Sequence, residues 1–263
     1  MAWYRVTKKQ SGGGTQIGDL LALASAGTDA NPVQFDMTDA VLHTQATAIP
    51  AQMFRSNKRV RSVSLANILT VGAEAFREAP NLNGIDLPSC TSLGASAFQQ
   101  ARSGLSAFMD NPVINLPACE SMGDSAFLNI RTGSSSSNKI TWVLTSLKTL
   151  GATCFRCNSY PWYTDLLYLP AIVTMGNLTF GNANIVTLKL GPNCTSVGNN
   201  MIQNANVTNL IIEALSPPAF GSGTSYLGTA PSHIYVPDGS VATYKGASGW
   251  STYSNIIESI DNI

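Results

Sequence analysis

The chain is poor in charge and in histidine. Only 11% of its 263 residues are Asp, Glu, Lys or Arg, and 15 basic residues balance 15 acidic ones. With a formal net charge of zero there is no global field to hold a polyanion, so nucleic acid and anionic membrane surfaces are excluded as partners. No apolar run approaches the ~20 residues needed to span a bilayer. The two histidines, His43 and His233, lie far apart and in no nucleophile, metal or general-base motif. GxSxG, HExxH, P-loop and EF-hand patterns are absent. Among outward strand positions Asp86 is the one acid, so the paired carboxylates of a glycosidase are missing. The expectation is a non-enzyme with no cofactor and no metal.

Cysteine is also sparse. Cys154 and Cys157 form a lone CFRC, weak as a zinc or redox motif without a second pair or a histidine. Cys154 stands where other segments carry Ala75, Ala97 and Ala126, which favours a packing role. Five is an odd count, so at least one thiol is free in the monomer; Cys90 and Cys119 stand in successive segments, and whether they are bonded stays open. The N-terminus, MAWYRVTKKQSGGG, falls short of a secretion signal, because Asp19 and Gly12, Gly13 and Gly14 interrupt the apolar build-up. It reads as a short strand at 3–7 and a Gly-rich linker, with a loop at 24–34.

What the sequence has is repetition. With hydrophobics at 44% it can build a core, and six segments show how. They run from Val63-Ser64-Leu65 to Phe76, Ile85-Asp86-Leu87 to Phe98, Ile114-Asn115-Leu116 to Phe127, Trp142-Val143-Leu144 to Phe155, Leu167-Tyr168-Leu169 to Phe180, and Leu188-Lys189-Leu190 to Ile202. A glycine (Gly72, Gly94, Gly123, Gly151, Gly176, Gly198) lies four residues before each last position. A partial copy ends at Phe54, and a degenerate one runs through Leu210-Ile211-Ile212 to Phe220. An apolar-x-apolar triplet places two side chains on one strand face and one on the other. Ile68, Cys90, Cys119, Leu147, Ile172 and Cys194 follow as small or apolar groups facing inward. The glycine is expected to turn the chain at positive φ. Stacked coils would bring Phe76, Phe98, Phe127, Phe155 and Phe180 into one column, each ring worth roughly 1.5–3 kcal/mol of burial. One copy cannot bury its own apolar face, so neighbours must supply the stability.

The phrases LPSCTSLGASAF (87–98) and LPACESMGDSAF (116–127) resemble the leucine-rich repeats of the BspA-like type. The resemblance covers about residues 45–220, and the end, 234–260, is similar to the segment that closes such arrays. It implies an α/β-type repeat solenoid, mostly β: a right-handed coil of about seven turns, with one parallel sheet on the concave face and an irregular convex side. Residues 1–44 are then an N-terminal segment and cap, 45–220 the solenoid and 221–263 a C-terminal cap. The family implies surface adhesion and recognition, so the expected partner is a surface protein or a glycan, and the expected place is outside the cell. Two settings stay open: a bacterial cell surface, or a phage tail, since MAWYRV and its linker look similar to the starts of some tail-associated proteins. Self-association or virion attachment would then fall to the N-terminal segment.

Insertions cluster on one side of the coil, at 99–113, 128–140 and 156–166. Binding often lives on such loops. The outward row reads Ser64, Asp86, Asn115, Val143, Tyr168, Lys189, Ile211 and Tyr235. Its later members are large. Tyr160, Trp162 and Tyr163 in the third insertion, with Tyr168 beside them, Lys189 and Tyr235, are the candidate ligand-binding residues, because Tyr and Trp give large contact area at low entropy cost. Trp162 or Tyr163 could instead pack under its own loop. The run RSNKRVR (55–61) reads as a solvated turn, or as a contact for an anionic group.

Overall fold

A computed structural model describes residues 33–36, 47–58, 60–101, 112–131, 138–158 and 161–263. The chain coils through strands in regular alternation, a face strand and then a two-residue strand. The first half holds β1 (Val33–Asp36), β2 (Ala48–Ile49), β3 (Val60–Ser64), β4 (Thr70–Val71), β5 (Gly84–Asp86), β6 (Ser92–Leu93), β7 (Val113–Asn115), β8 (Ser121–Met122), β9 (Thr141–Val143) and β10 (Thr149–Leu150). The second holds β11 (Tyr163–Leu169), β12 (Thr174–Met175), β13 (Asn184–Leu190), β14 (Ser196–Val197), β15 (Asn206–Ile212), β16 (Ala219–Phe220), β17 (His233–Val236), a short helix α1 (Val241–Gly246) and β18 (Ile257–Ser259). All pairings are parallel. The product is a mostly-β parallel solenoid of about 9 turns, longer than the expected seven.

Among the described residues the single face sheet expected is divided in two, and the two-residue strands form a further sheet. The face strands form two blocks, β1-β3-β5-β7-β9 and β11-β13-β15-β17-β18, while the two-residue strands make an eight-stranded ladder from β2 to β16. The face sheet breaks between β9 and β11, where two tryptophans enter the core. Trp142 takes the inward position that Ile85, Ile114 and Leu167 hold elsewhere, and packs edge-on against Trp162 at 5.5 Å. A loop expected at 24–34 gives way at its end to β1, which pairs with β3.

The phenylalanine column exists and is one ring longer than the five-ring expectation. Phe54, Phe76, Phe98, Phe127, Phe155 and Phe180 stack with centroids 5.0–5.7 Å apart and planes within 13°. Spacing of the rings follows the spacing of the coils, which is set by the backbone ladders at about 4.8 Å. Ile202 continues the column, fully buried.

The turn beside the column is regular, and here the expectation about glycine is corrected. None of the six repeat glycines has positive φ. Left-handed residues flank the ring instead: Gln52, Glu74, Ser96, Ser125, Thr153, Leu178 and Asn200 two positions before it, and Ser56, Glu78, Gln100, Asn129, Asn182 and Asn204 two positions after it, all with φ between 55° and 62°. That reversal turns alternate N–H groups toward the next coil, as in Glu74 N to Ala95 O at 2.9 Å, Phe76 N to Ala97 O at 2.7 Å and Glu78 N to Gln99 O at 2.8 Å. The intervening N–H groups close local turns, as in Arg77 N to Glu74 O at 3.1 Å. Paired backbone offsets the cost of left-handed geometry in residues with a Cβ. Glycine is required for closeness instead: a Cβ on Gly123 would stand 2.6 Å from Ala95 N of the coil before.

All five cysteines are buried thiols, and none is in a disulfide. The Cys90 and Cys119 thiols donate to Ser92 O and Ser121 O, each at 3.4 Å, and are not bonded to one another. Burial pushes the Cys90 thiol up to about 11 and those of Cys119 and Cys194 up to about 12; the Cys154 thiol is also raised, chiefly by burial. A thiolate is the reacting form. The native protein is therefore expected to show no fast reaction with a thiol reagent at pH 8, and all five thiols should appear together on unfolding. A native protein that titrates one or more at once would contradict the packing.

At the C-terminal end, β17 and β18 extend the face sheet beyond β15. Tyr244 of α1 is buried and donates its hydroxyl to Ala214 O at 2.8 Å, and Trp250 donates Nε1 to Pro218 O at 2.8 Å. Large rings with their polar atoms satisfied thus cover the last coils.

Candidate functional site

The two face blocks differ in chemistry. In the first, Ser64, Asp86, Asn115 and Val143 lie in register. Asp86 is engaged at both oxygens by its neighbours: Ser64 Oγ donates to Oδ2 at 3.0 Å and Asn115 Nδ2 to Oδ1 at 2.7 Å. This stretch is small, polar and internally paired.

In the second block the row is Tyr168, Lys189, Ile211, Tyr235 and Glu258. Tyr168 is 37% exposed. Lys189 Nζ lies 4.7 Å from the centre of its ring, a cation–π contact. The Tyr168 hydroxyl donates to Glu213 Oε2 at 2.9 Å, and Lys189 Nζ pairs with Glu213 Oε1 at 2.9 Å. Partial burial, and then the bond to the Glu213 carboxylate, holds the Tyr168 phenol above its ordinary value. Three side chains from three coils thus fix one another's rotamers, so ordering them costs little further entropy on binding. Further along, the His233 ring stacks on Tyr235 with centroids 5.6 Å apart, and His233 Nδ1 lies 3.4 Å from Glu258 Oε1. Ile211, between Lys189 and Tyr235, is only 9% exposed.

The strands of this block bend. Inward side chains are three apart (Thr164 and Leu167, Ile185 and Leu188, Val207 and Leu210), leaving two consecutive residues outside at each corner. The corners place Leu166 and Val186, 51% and 47% exposed, beside the tyrosine row. Lys139 Nζ holds Asp165 at 2.6 Å on the same corner. Sequence pattern alone missed Leu166, Val186 and Glu213. An apolar pair at a break in the in-out alternation was the signal available for the first two.

The candidate cluster around Tyr160, Trp162, Tyr163 and Tyr168 does not form as one patch. Trp162 is fully buried, with Nε1 donating to Phe155 O at 2.7 Å, so it packs under its loop and presents nothing to a ligand. The tryptophan belongs to the core because its ring fills the space beside Trp142 and Phe155. Tyr163 is half-buried at the start of β11, about 16 Å along the strand from Tyr168. Tyr160 lies outside the described residues. Tyr168, Lys189 and Tyr235 do share one face.

The remaining candidates are structural or paired. Cys154 and Cys157 sit in the core, with Cys154 Sγ 4.0 Å from Met122 Sδ. No group of three or more His, Cys, Asp or Glu among the described residues could hold a metal ion. In the basic run, Arg55 Nη1 pairs with Glu74 Oε2 of the next coil at 2.7 Å; Arg59 lies outside the described residues.

These coils, with their phenylalanine column and close-contact glycines, are matched in sequence by the family model for the BspA type Leucine rich repeat region, in 6 copies over residues 34–106 and 105–208. The chain belongs to the BspA-type leucine-rich repeat family. No curated protein matches it. Membership makes this a repeat scaffold of the kind used in protein or surface binding. No helix among the described residues of this BspA-type protein is long and apolar enough to cross a membrane.

Proposed function

We propose that this BspA-type protein is a non-catalytic recognition module. It binds a surface protein or glycan through the second block of its face sheet, working outside the cell on a bacterial surface or a phage particle. The observation that carries this reading is the Tyr168–Lys189–Glu213 cluster, partly exposed yet already ordered by mutual contacts. Such pre-arranged aromatic groups supply most of the energy in recognition surfaces.

The test uses the labelled full chain on a panel of intact bacterial cells. Wild type is expected to bind at least one strain, and Tyr168→Ala with Lys189→Ala is expected to weaken that binding about tenfold or more, with an unchanged melting curve. Binding equal to wild type in the double variant would remove the face from the account.

A further inference from the structure

The second block offers no unpaired lysine or arginine on its strands. Lys189 is paired with Glu213 and Asp165 with Lys139, and Glu258 lies 3.4 Å from the His233 ring. No cation on strands β11 to β18 is left over for an anionic group, so phosphate, sulfated sugar or an acidic peptide finds no partner there. What the row and its flank do offer is two aromatic rings, Tyr168 and Tyr235, and two carboxylates, Glu258 in the row and Glu213 beside it. A carboxylate has about four lone-pair sites, and Glu213 spends one oxygen on Tyr168 and the other on Lys189, leaving acceptor capacity at both. Glu258 is half-exposed beside Tyr235.

Spacing selects further. The row crosses the strands, advancing one coil at a time, about 4.8 Å per step. Tyr168 and Tyr235 are three coils apart in register, hence about 14 Å. An extended peptide lying across the strands repeats on one side every ~6.7 Å and drifts out of step with the coils. A pyranose unit is close to one coil in length. It also has the matching chemistry, with C–H faces for a ring and a fringe of hydroxyls that donate to carboxylates.

We infer that the second block binds a linear neutral polysaccharide laid across β11, β13, β15 and β17, with sugar rings against Tyr168 and Tyr235 and hydroxyls on Glu213 and Glu258. This deepens the recognition reading and rests on it. Lys189 acts as a positioning residue, holding the Tyr168 ring and Glu213 in place.

Affinity electrophoresis of the full chain tests it, in native gels each containing hydroxyethylcellulose, glucomannan, xylan or dextran, with heparin as the anionic comparison. Retardation is expected in at least one neutral gel and not with heparin. Tyr235→Ala and Glu213→Gln are each expected to reduce it about tenfold or more, and Glu213→Gln keeps the size of the side chain, so a folded variant is assured a reading. No retardation in any neutral gel, retardation by heparin alone, or retardation unchanged in both variants overturns the inference. Cell binding separates the two levels. Loss of cell binding after periodate treatment of the cells supports the glycan. Binding that survives periodate, is removed by protease and still depends on Tyr168 overturns the polysaccharide while leaving the recognition reading intact.

Discussion

Truncating Phe127 to alanine is expected to cost about 3–5 kcal/mol. The ring is fully buried, stacked between Phe98 at 5.1 Å and Phe155 at 5.7 Å, and touched edge-on by Trp142 at 5.3 Å. Neither neighbour can close the gap, because backbone bonds between coils hold each in place: Phe98 N to Ala126 O of the next coil at 2.7 Å and Phe155 N to Thr179 O of the next coil at 2.8 Å. A cavity that cannot collapse carries the upper end of the range. For a chain of this size the melting temperature should fall by roughly 10 °C. The loss also falls in the middle of a one-dimensional array, where coupling between coils is made only through nearest neighbours. The unfolding transition should therefore broaden or split, with the two halves losing cooperativity. Calorimetry on wild type and Phe127→Ala measures both. A loss below about 1 kcal/mol with a single sharp transition would mean that the column is not what joins the coils.

Much of this architecture was legible because the period is stamped on chemistry that has one use. A phenylalanine returning at the same place in each segment can be satisfied together with its fellows only by stacking, and Phe76, Phe98, Phe127, Phe155 and Phe180 do so. Glycine was ambiguous. A left-handed turn and a close backbone approach both call for the residue without a Cβ, and only the neighbouring coil's position decides between them. The same neighbour fixes the left-handed residues, which include Leu178 and Thr153 and carry no sequence sign of that geometry. The two-residue strands of the eight-stranded ladder were too short to show periodicity. Trp162 stayed open between loop surface and core because burial of an inserted aromatic depends on what stands opposite, here Trp142. Tyr168, Lys189 and Tyr235 were reachable from the outward position of their triplets. Glu213 lies beyond the triplet of its own coil and enters the site only through contacts with two others.

Gly123→Ala separates the two roles of glycine by sign. If the position needed only ordinary backbone geometry, alanine would stabilise by about 0.4–1 kcal/mol, since the unfolded chain loses freedom. The φ is indeed ordinary, yet the added Cβ would stand 2.6 Å from Ala95 N, 2.9 Å from Ala95 Cα and 2.9 Å from the carbonyl carbon of Gly94. All three are backbone atoms of the preceding coil, and none can rotate aside. To admit the methyl, the coils must part, lengthening Gly123 N to Leu93 O, now 2.9 Å, and the β6–β8 pairing beside it. The preceding coil cannot retreat, because Gly94 meets Ala73 in the same way, at 2.5 Å from its own would-be Cβ. Overpacking against fixed backbone is expected to destabilise by about 3 kcal/mol. Gly239→Ala is the comparison: nothing lies within 4 Å of its would-be Cβ, and its stability should stay within about 0.5 kcal/mol of wild type. Denaturant titration of both variants decides. A Gly123→Ala protein as stable as wild type, or more stable, would show that close approach of the coils is not what the repeated glycine protects.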